Sequence, residues 1–172
     1  MDGDTRRVQI IELLKASKKP LSGTELAKRL LVSRQVIVQD IALLRAVNKN
    51  ILSTNKGYIL YDSQTVDKTY KRTVCVKHSN DRILDELQTI VDYGGHVVDV
   101  VVEHEIYGQI TVDLIINNRQ DAEEFVKRLE ENKTRPLNEL TDGIHFHTIE
   151  ADKEEYLDRI EQQLFLKGYL IK

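Results

Sequence analysis

Residues 31–41 read LVSRQVIVQDI, and this segment shows how the first part of the chain folds. Ser33 is a residue type that caps the N-terminus of a helix. The apolar residues that follow it are spaced by four and three positions and are Ile37, Ile41 and Leu44. This spacing places them on one side of a helix. We therefore predict a helix from residue 34 to about residue 47, with this apolar face buried and a largely polar face outside.

Two further helices are expected before this segment. Residues 6–17 carry apolar residues at helical spacing, and Pro20 stops the continuation. Residues 22–25 read SGTE, the Ser-x-x-Glu form of a capping box, so a second and shorter helix should begin there. Leu31 and Val32 then form the tight connection to the third helix.

Two β-prone runs follow the third helix, at residues 51–53 and 58–60. Residues 55–57 (NKG) lie between them and supply the turn chemistry of a hairpin. Three helices followed by a hairpin are the element order of a winged helix-turn-helix domain, whose third helix enters the major groove of DNA. We assign this domain to residues 1–62.

The outer face of the third helix and the hairpin turn carry side chains suited to DNA. Glutamine can pair with adenine and arginine with guanine, whereas arginine and lysine also reach phosphates. The candidates for DNA contact are Ser33, Arg34, Gln35, Val38, Gln39, Arg45 and Lys56. The alternative is a winged-helix fold that contacts another protein and leaves this helix face in solvent.

The charge of the chain is divided unevenly. Residues 1–64 hold 11 Lys and Arg against 6 Asp and Glu, a net charge of +5, whereas residues 65–172 hold 14 against 22, a net charge of −8. A basic part joined to an acidic part favours a polyanion contact for the first part alone.

Composition excludes several classes of protein. Of the 172 residues, 31% are charged, and no apolar run is long enough to span a membrane. Because there is also no signal peptide, we expect a cytoplasmic protein without a membrane partner. One cysteine excludes an internal disulfide framework and a multi-cysteine zinc site.

Residues 70–172 alternate strand and helix patterns, and residues 63–69 before them are polar and read as a linker. The strand patterns cover residues 70–78, 96–104, 107–116 and 143–151, with a helix pattern after the first, third and fourth. The order βαββαβα predicts an α+β fold: an open-faced sandwich with a four-stranded antiparallel sheet and helices on one face.

Successive strand residues point to opposite faces of a sheet, which gives two expectations. Val98, Val100 and Val102 should share one face of the second strand. Ile144 and Phe146 of the last strand should point to the open face, where they are candidates for contact with a second subunit.

Four residues of this part could meet at one metal ion. His145 and His147 are two residues apart in a strand, so they leave the same face. In the predicted fold the first and last strands are antiparallel neighbours, which places His78 beside His145. The helix that begins after His78 brings Glu86 back over this edge. Three imidazoles and a carboxylate suit a divalent ion such as zinc, nickel, cobalt or iron. The alternative is that these are ordinary, partly buried histidines.

The whole chain, about residues 5–172, resembles the niacin-responsive transcription repressors, which join a winged helix to a "3H" domain named for its histidines. The matching segments are SRQVIVQDI at residues 33–41, VKH at 76–78, DEL at 85–87 and GIHFH at 143–147. The resemblance implies a homodimeric repressor of niacin uptake or NAD biosynthesis genes, with nicotinic acid as co-repressor. It also implies one divalent ion per subunit, nickel or zinc, held by His78, Glu86, His145 and His147. Two-fold symmetry would then require a palindromic operator in double-stranded DNA.

Two other functions fit the same residues. The first is a metal-responsive repressor, in which the ion itself is the signal. The second is a metal-dependent enzyme fused to a DNA-binding domain. We expect no enzyme, because the sequence has no nucleophile motif, no phosphate-binding glycine loop and no acid–base pair near the histidines. Glu86, if it is a metal ligand, is not free to act as a base.

Overall fold

A computed structural model of the protein describes residues 2–47, 50–61 and 69–171. Contacts divide the chain into two units, residues 1–65 and residues 66–172. Of the predicted linker, residues 63–69, only Thr69 is among the described residues. Each unit has an apolar core of its own.

The first unit contains three helices and a hairpin in the predicted order. They are α1 (Gly3–Ala16), α2 (Gly23–Leu30), α3 (Arg34–Val47), β1 (Ile51–Thr54) and β2 (Gly57–Leu60). β1 and β2 pair antiparallel. Leu21 exchanges two backbone hydrogen bonds with Tyr58, of 2.8 and 2.9 Å, which tie the chain before α2 to the hairpin. The arrangement is a helix-turn-helix with a small wing.

Side-chain caps determine where these helices begin. The caps predicted at Ser22 and Ser33 are present: each hydroxyl accepts a hydrogen bond from the backbone N–H three residues later, at 3.1 and 3.3 Å. α1 begins at Gly3, three residues before the predicted start. The reason is the Asp2 carboxylate, which caps α1 in the same way at 2.9 Å.

One face of α3 is held against the rest of the first unit. Ile37 and Ile41 are buried in the apolar core, as predicted. Asp40 is buried between them and accepts hydrogen bonds from Arg6 Nε at 2.5 Å and from Arg7 at 3.1 Å. This ion pair fixes the rotation of α3 relative to α1, because the carboxylate would be costly to bury alone. The opposite face of α3 is thereby left to solvent.

The second unit contains four strands and three helices. They are β3 (Tyr70–Lys77), α4 (Ile83–Asp92), β4 (Gly95–His104), β5 (Gly108–Ile116), α5 (Arg119–Glu131), β6 (Ile144–Ala151) and α6 (Glu154–Leu166), with 3-10 turns at Asn80–Arg82 and Leu137–Thr141. The α+β class and the order βαββαβα are confirmed. β3 pairs with β6, β6 with β4 and β4 with β5, each antiparallel.

Strand β4 is irregular against β6. From Val97 to Val101, β4 advances four residues while β6 advances three. This extra residue is a β-bulge, so odd-numbered residues of β4 face the core before it and even-numbered residues face the core after it. Val100 packs against the apolar core and Val102 is fully buried, as predicted. The prediction for Val98 is wrong: it is half-buried, and Val97 is buried instead, because the bulge separates the two parts of the strand.

The helices and strands of the second unit share one apolar core. Its fully buried members include Val76, Leu87, Ile90, Val97, Ile116, Ile149, Ile160 and Leu164. Where β3 ends and β6 begins, buried polar side chains replace the apolar ones. This polar end of the core contains the predicted metal ligands.

Candidate metal centre

The ladder between β3 and β6 brings the histidines together. Val76 of β3 lies opposite His145 of β6, and Val74 lies opposite His147. His145 and His147 therefore extend from the core face of the sheet, as predicted, and their ring centroids are 4.9 Å apart. His78 follows the last residue of β3, and its ring lies 4.8 Å from that of His145.

The helix α4 places Glu86 among the three imidazole rings. One carboxylate oxygen, Oε2, lies 2.5 Å from His78 Nε2 and 3.3 Å from His145 Nε2. The other oxygen, Oε1, lies 3.3 Å from His147 Nε2. All four side chains are buried, and Glu86 is only 1% exposed. The predicted set is thus assembled around one carboxylate.

Backbone carbonyls hold the opposite nitrogen of each ring. Nδ1 of His78 lies 2.9 Å from Ser79 O, and Nδ1 of His145 lies 2.9 Å from Gly143 O. Nδ1 of His147 lies 2.6 Å from Asp99 O. Because a carbonyl oxygen only accepts hydrogen bonds, each Nδ1 must carry the proton and donate it. In the neutral rings, the lone pair is therefore on Nε2, the nitrogen that faces Glu86 and its neighbours.

The charges of this group depend strongly on each other. Burial alone would raise the pKa of Glu86, but the charge of His147 and hydrogen bonds from the imidazoles lower it well below the ordinary value. Burial also opposes the charged forms of His78 and His147, yet Glu86 raises the pKa of both. The carboxylate is therefore ionised, and without another cation it stabilises protons on the rings that surround it.

The chemistry of these side chains fits a divalent metal ion. The candidate ligand atoms of His78, Glu86 and His145 all lie within 4.8 Å of one another. Glu86 Oε1 is buried, and apart from its ion-pair contact with His147 Nε2 at 3.3 Å it has no hydrogen-bond partner among the described residues. An ion would satisfy this oxygen and would use the Nε2 lone pairs, and rings fixed through Nδ1 are the usual state of metal-binding histidine. His78, Glu86 and His145 could therefore hold a metal ion.

Several residues that shape this centre carry no recognisable sequence signal. The bulge in β4 presents the backbone carbonyl of Asp99 to His147. The side-chain carboxylate of Asp99 accepts a hydrogen bond of 2.8 Å from the Thr148 N–H. The Tyr169 hydroxyl donates to Asp85 at 2.6 Å, and the Tyr169 ring lies 5.2 Å from that of His78. These contacts join segments far apart in the chain, so no local pattern reveals them.

Gly143 is another such residue, because its backbone passes very close to His78. It has a φ of +86°, and a Cβ added to it would lie 2.7 Å from His78 O. Its own carbonyl holds His145. The glycine before HFH therefore matters for the close approach of two ligand-bearing segments, which a sequence motif alone does not show.

The two remaining histidines stay outside the cluster. His104 Nδ1 accepts hydrogen bonds from the N–H groups of Ile106 and Tyr107, at 3.2 and 3.3 Å, and so stabilises the turn between β4 and β5. His96 lies on β4 opposite Glu150, and its Nδ1 is buried without a partner among the described residues. Neither ring belongs to the group that could hold an ion.

The structure also gives positions to the DNA-binding candidates of the first unit. Those on the exposed face of α3 are Arg34, Gln35, Val38, Gln39 and Arg45. Ser33 lies at the N-terminus of α3 and uses its hydroxyl as a cap. Lys56 lies in the hairpin turn and is half-buried. DNA contact by these residues stays a prediction.

Comparison with known proteins assigns both units. The first matches an HTH domain at residues 6–59, and the second matches a 3H domain at residues 71–172. The probable transcription repressor NiaR of Thermotoga maritima is 44% identical over 167 residues, which cover 97% of this chain and 94% of that protein. The chain belongs to the NiaR/NadR family of transcription repressors. The transcription repressor NadR of Bacillus subtilis is 42% identical over 171 residues, covering 99% and 95% of the two chains.

Membership of the NiaR/NadR family assigns a role to each unit. The helix-turn-helix is the DNA-binding part of a transcription repressor, and the unit with the histidine cluster is its 3H domain. The NiaR and NadR relatives are repressors and not enzymes, in agreement with the expectation from the sequence. None of the described helices has the length and apolar character needed to cross a membrane.

Replacing Gly143 by alanine should disturb the metal centre. The new methyl group would collide with the carbonyl of His78, and a φ of +86° is unfavourable for alanine. We expect metal affinity to fall about 10- to 100-fold, the usual effect of displacing a group that orients ligands. Metal titration of the purified protein, followed by thermal unfolding with and without metal, measures the effect.

Gly168→Ala is the matched control for this substitution. Gly168 has a φ of +77°, but nothing lies within 4 Å of an added Cβ. Both variants should lose about 1–2 kcal/mol of stability from the left-handed backbone, and only Gly143→Ala should lose metal affinity. Equal metal affinity in the two variants would contradict the importance of the close approach at His78.

Proposed function

We propose that the protein represses genes of niacin uptake or NAD biosynthesis, with nicotinic acid as co-repressor. In this proposal the winged helix, residues 1–62, reads the operator, and the 3H domain, residues 70–172, senses the co-repressor. The observation that carries it is the buried cluster of three imidazoles around Glu86, in a repressor family that resembles the niacin-responsive regulators. Such a protein acts in the cytoplasm, where its DNA target lies.

His147 is proposed as the fourth ligand of one divalent ion per subunit, nickel or zinc. Its Nε2 lies 3.3 Å from Glu86 Oε1, and its Nδ1 is anchored in the same way as in His78 and His145. Imidazole and carboxylate are donors that suit both ions. When bound, the ion would supply positive charge that balances the carboxylate of Glu86. The surrounding residues then keep the four donor groups oriented and exclude water.

We propose that the protein is a homodimer and that the face of the sheet opposite the histidines forms the interface. Phe146 lies opposite Cys75 of β3 and Val101 of β4, on the side of the sheet away from the histidines. Ile144 is on the same side and remains 37% exposed. An exposed apolar surface of this kind supports contact with a second copy of the chain, and two-fold symmetry then predicts a palindromic operator.

DNA contact is proposed for the exposed face of α3 and the wing. Gln35 and Gln39 have the amide groups that pair with adenine, and Arg34 has the fork that pairs with guanine. Ser33 and Val38 belong to the same exposed surface, whereas Arg45 and Lys56 are proposed to contact phosphates. The burial of Asp40 supports this assignment, because it removes the one acidic group of α3 from the surface presented to DNA.

Nicotinic acid should strengthen operator binding by the metal-loaded protein. A coupling of about 5- to 150-fold in affinity is typical of regulation by a small molecule. The measurement is fluorescence anisotropy with an operator obtained by in vitro selection, in the presence and absence of nicotinate, with nickel or zinc bound. An unchanged operator affinity at saturating nicotinate would refute the co-repressor.

The same experiment decides between this proposal and a metal-responsive repressor. If nickel or zinc alone produces the full increase in operator affinity, and nicotinate adds nothing, then the ion is the signal. The convergence of His78, Glu86 and His145 also fits this alternative, because a metal-responsive repressor needs a metal site but no organic ligand. Titrations that omit either the metal ion or nicotinate separate the metal-responsive repressor from the nicotinate-responsive one.

Replacing His145 or His147 should weaken metal binding. His145→Gln removes a nitrogen from the compact group, and we expect more than the about 10- to 100-fold loss seen when only a supporting residue is changed. His147→Gln should give a comparable loss and should also alter the visible spectrum of the cobalt(II)-substituted protein. His104→Gln is the control, since His104 lies outside the cluster. A wild-type cobalt spectrum in His147→Gln would exclude His147 as a ligand.

Two substitutions in the first unit should separate base recognition from phosphate contact. Gln39→Ala should reduce discrimination between operator variants by about 1–3 kcal/mol. Arg45→Ala should weaken binding to all sequences and lower the salt dependence by about one phosphate contact. Lys15→Ala on α1 is the control for the loss of a basic residue. Unchanged base preference in Gln39→Ala would place the recognition surface elsewhere.

A further inference from the structure

The candidate metal ligands are buried, so a segment of the chain must move aside before an ion can reach them. Most of their surroundings cannot move without loss of the core. β6, which carries His145 and His147, is paired on both edges, with β3 and with β4. α4, which carries Glu86, is anchored in the core by the fully buried Leu87 and Ile90. The moving part must therefore lie outside these elements.

The segment that follows α6 covers one side of His78. The ring of Tyr169 is buried and lies 5.2 Å from the ring of His78. β3 is an edge strand of the sheet, and an antiparallel bridge and two backbone hydrogen bonds, of 2.8 and 2.9 Å, join residues 169–171 to it. Residues 169–171 thus close the edge of the sheet at the end where the histidines lie.

One carboxylate ties this segment to the helix that carries Glu86. Asp85 directly precedes Glu86 in α4 and accepts a hydrogen bond of 2.6 Å from the Tyr169 hydroxyl. It also accepts hydrogen bonds of 2.9 and 3.1 Å from the ammonium group of Lys167. The same ammonium group donates to the hydroxyl of Thr89, one turn later in α4, at 2.9 Å. We call Asp85, Lys167 and Tyr169 the clamp.

The clamp can open at a lower cost than the core around it. The side chains of Asp85 and Lys167 are 43% and 38% exposed, and ion pairs with this exposure contribute little to stability. Phe165 and Leu166, which precede the segment, are exposed as well. Segments with few buried contacts open locally far more often than the whole unit unfolds. The side of His78 that Tyr169 covers is therefore the most easily uncovered.

We propose that the clamp is a gate through which a metal ion enters and leaves the centre. The inference rests on the metal site of the proposed function and adds the route to it. None of the three clamp residues belongs to the group that could hold an ion. The clamp therefore stabilises the closed centre equally with and without an ion, and a contact that is equal in two states does not shift the equilibrium between them. The gate controls the rates of metal exchange and leaves the affinity unchanged.

Stopped-flow measurements of cobalt(II) binding to the full-length protein, and of its release to excess EDTA, test the gate. Tyr169→Phe keeps the ring against His78 and removes only the hydroxyl, without a change of charge. We expect binding and release to accelerate together by about fivefold, the effect of one hydrogen bond. The affinity and the visible spectrum of bound cobalt(II) should stay as in the wild type. Amide hydrogen exchange at Ile171 should accelerate as well, because it reports local opening of the segment.

The charged members of the clamp separate a gate from simple attraction of the ion. If charge alone mattered, loss of the carboxylate in Asp85→Asn would speed up metal release and loss of the cation in Lys167→Met would slow it. A gate requires faster release in both variants, because each breaks the same clamp. Slower release in Lys167→Met would overturn the gate.

Asp92→Asn is the matched control for Asp85→Asn. Asp92 lies on the same helix, its side chain is 37% exposed, and it accepts two hydrogen bonds of 2.7 Å from Arg119. The control therefore removes a similar ion pair from α4 away from Tyr169, and metal exchange should keep its wild-type rate. Equal acceleration in Asp92→Asn and Asp85→Asn would overturn the gate, since the cause would then be general loosening of the unit.

An open cleft of about 690 Å³, also lined by His78, offers a competing route. Asn80 donates a hydrogen bond to Glu139 across this cleft, and Asn80→Ala removes it. We expect wild-type metal exchange in Asn80→Ala. Wild-type exchange rates in Tyr169→Phe would overturn the gate, and faster exchange in Asn80→Ala would then place the entry at the cleft. A lower affinity of Tyr169→Phe for cobalt(II) with an unchanged binding rate would also overturn it. Failure of the wild-type protein to bind cobalt(II), nickel or zinc would instead overturn the metal site itself.

Discussion

The second unit depends on one buried carboxylate. Glu86 lies inside an apolar core at 1% exposure, where an isolated negative charge would destabilise the fold by several kcal/mol. The fold contains it only because three imidazole nitrogens face it within 3.3 Å. Whatever cation balances this charge, whether ring protons or a metal ion, therefore contributes to the stability of the whole unit. A group of side chains that could hold a metal ion is in this way built into the core.

This constraint accounts for several irregular features around the centre. The bulge in β4 turns the carbonyl of Asp99 toward His147, and the left-handed Gly143 turns its carbonyl toward His145. A regular strand would direct those carbonyls into its own ladder. The backbone thus departs from ideal geometry at the points where a ring must be oriented, which is common near functional sites.

The sequence predicted the elements and ligands that depend on local spacing and strand order. The capped helices at Ser22 and Ser33 follow from local residue types, and the meeting of His78 with His145 follows from the pairing of the first and last strands. The error at Val98 has a physical reason. Strand periodicity assumes regular pairing, whereas a bulge is set by contacts with a strand almost fifty residues away. The contacts of Tyr169 with Asp85 and His78 could not be predicted either, because they join residues far apart in the chain.

Regulation by such a centre requires more than tight binding. A ligand changes operator affinity only through a difference in its affinity for the two states of the protein. The buried rings near Glu86 are poorly accessible, but Ser79 and Gly143 form the border between these rings and an open cleft. A change in the backbone of Ser79 or Gly143 would therefore reorient the rings of His78 and His145, whose Nδ1 atoms these two carbonyls hold.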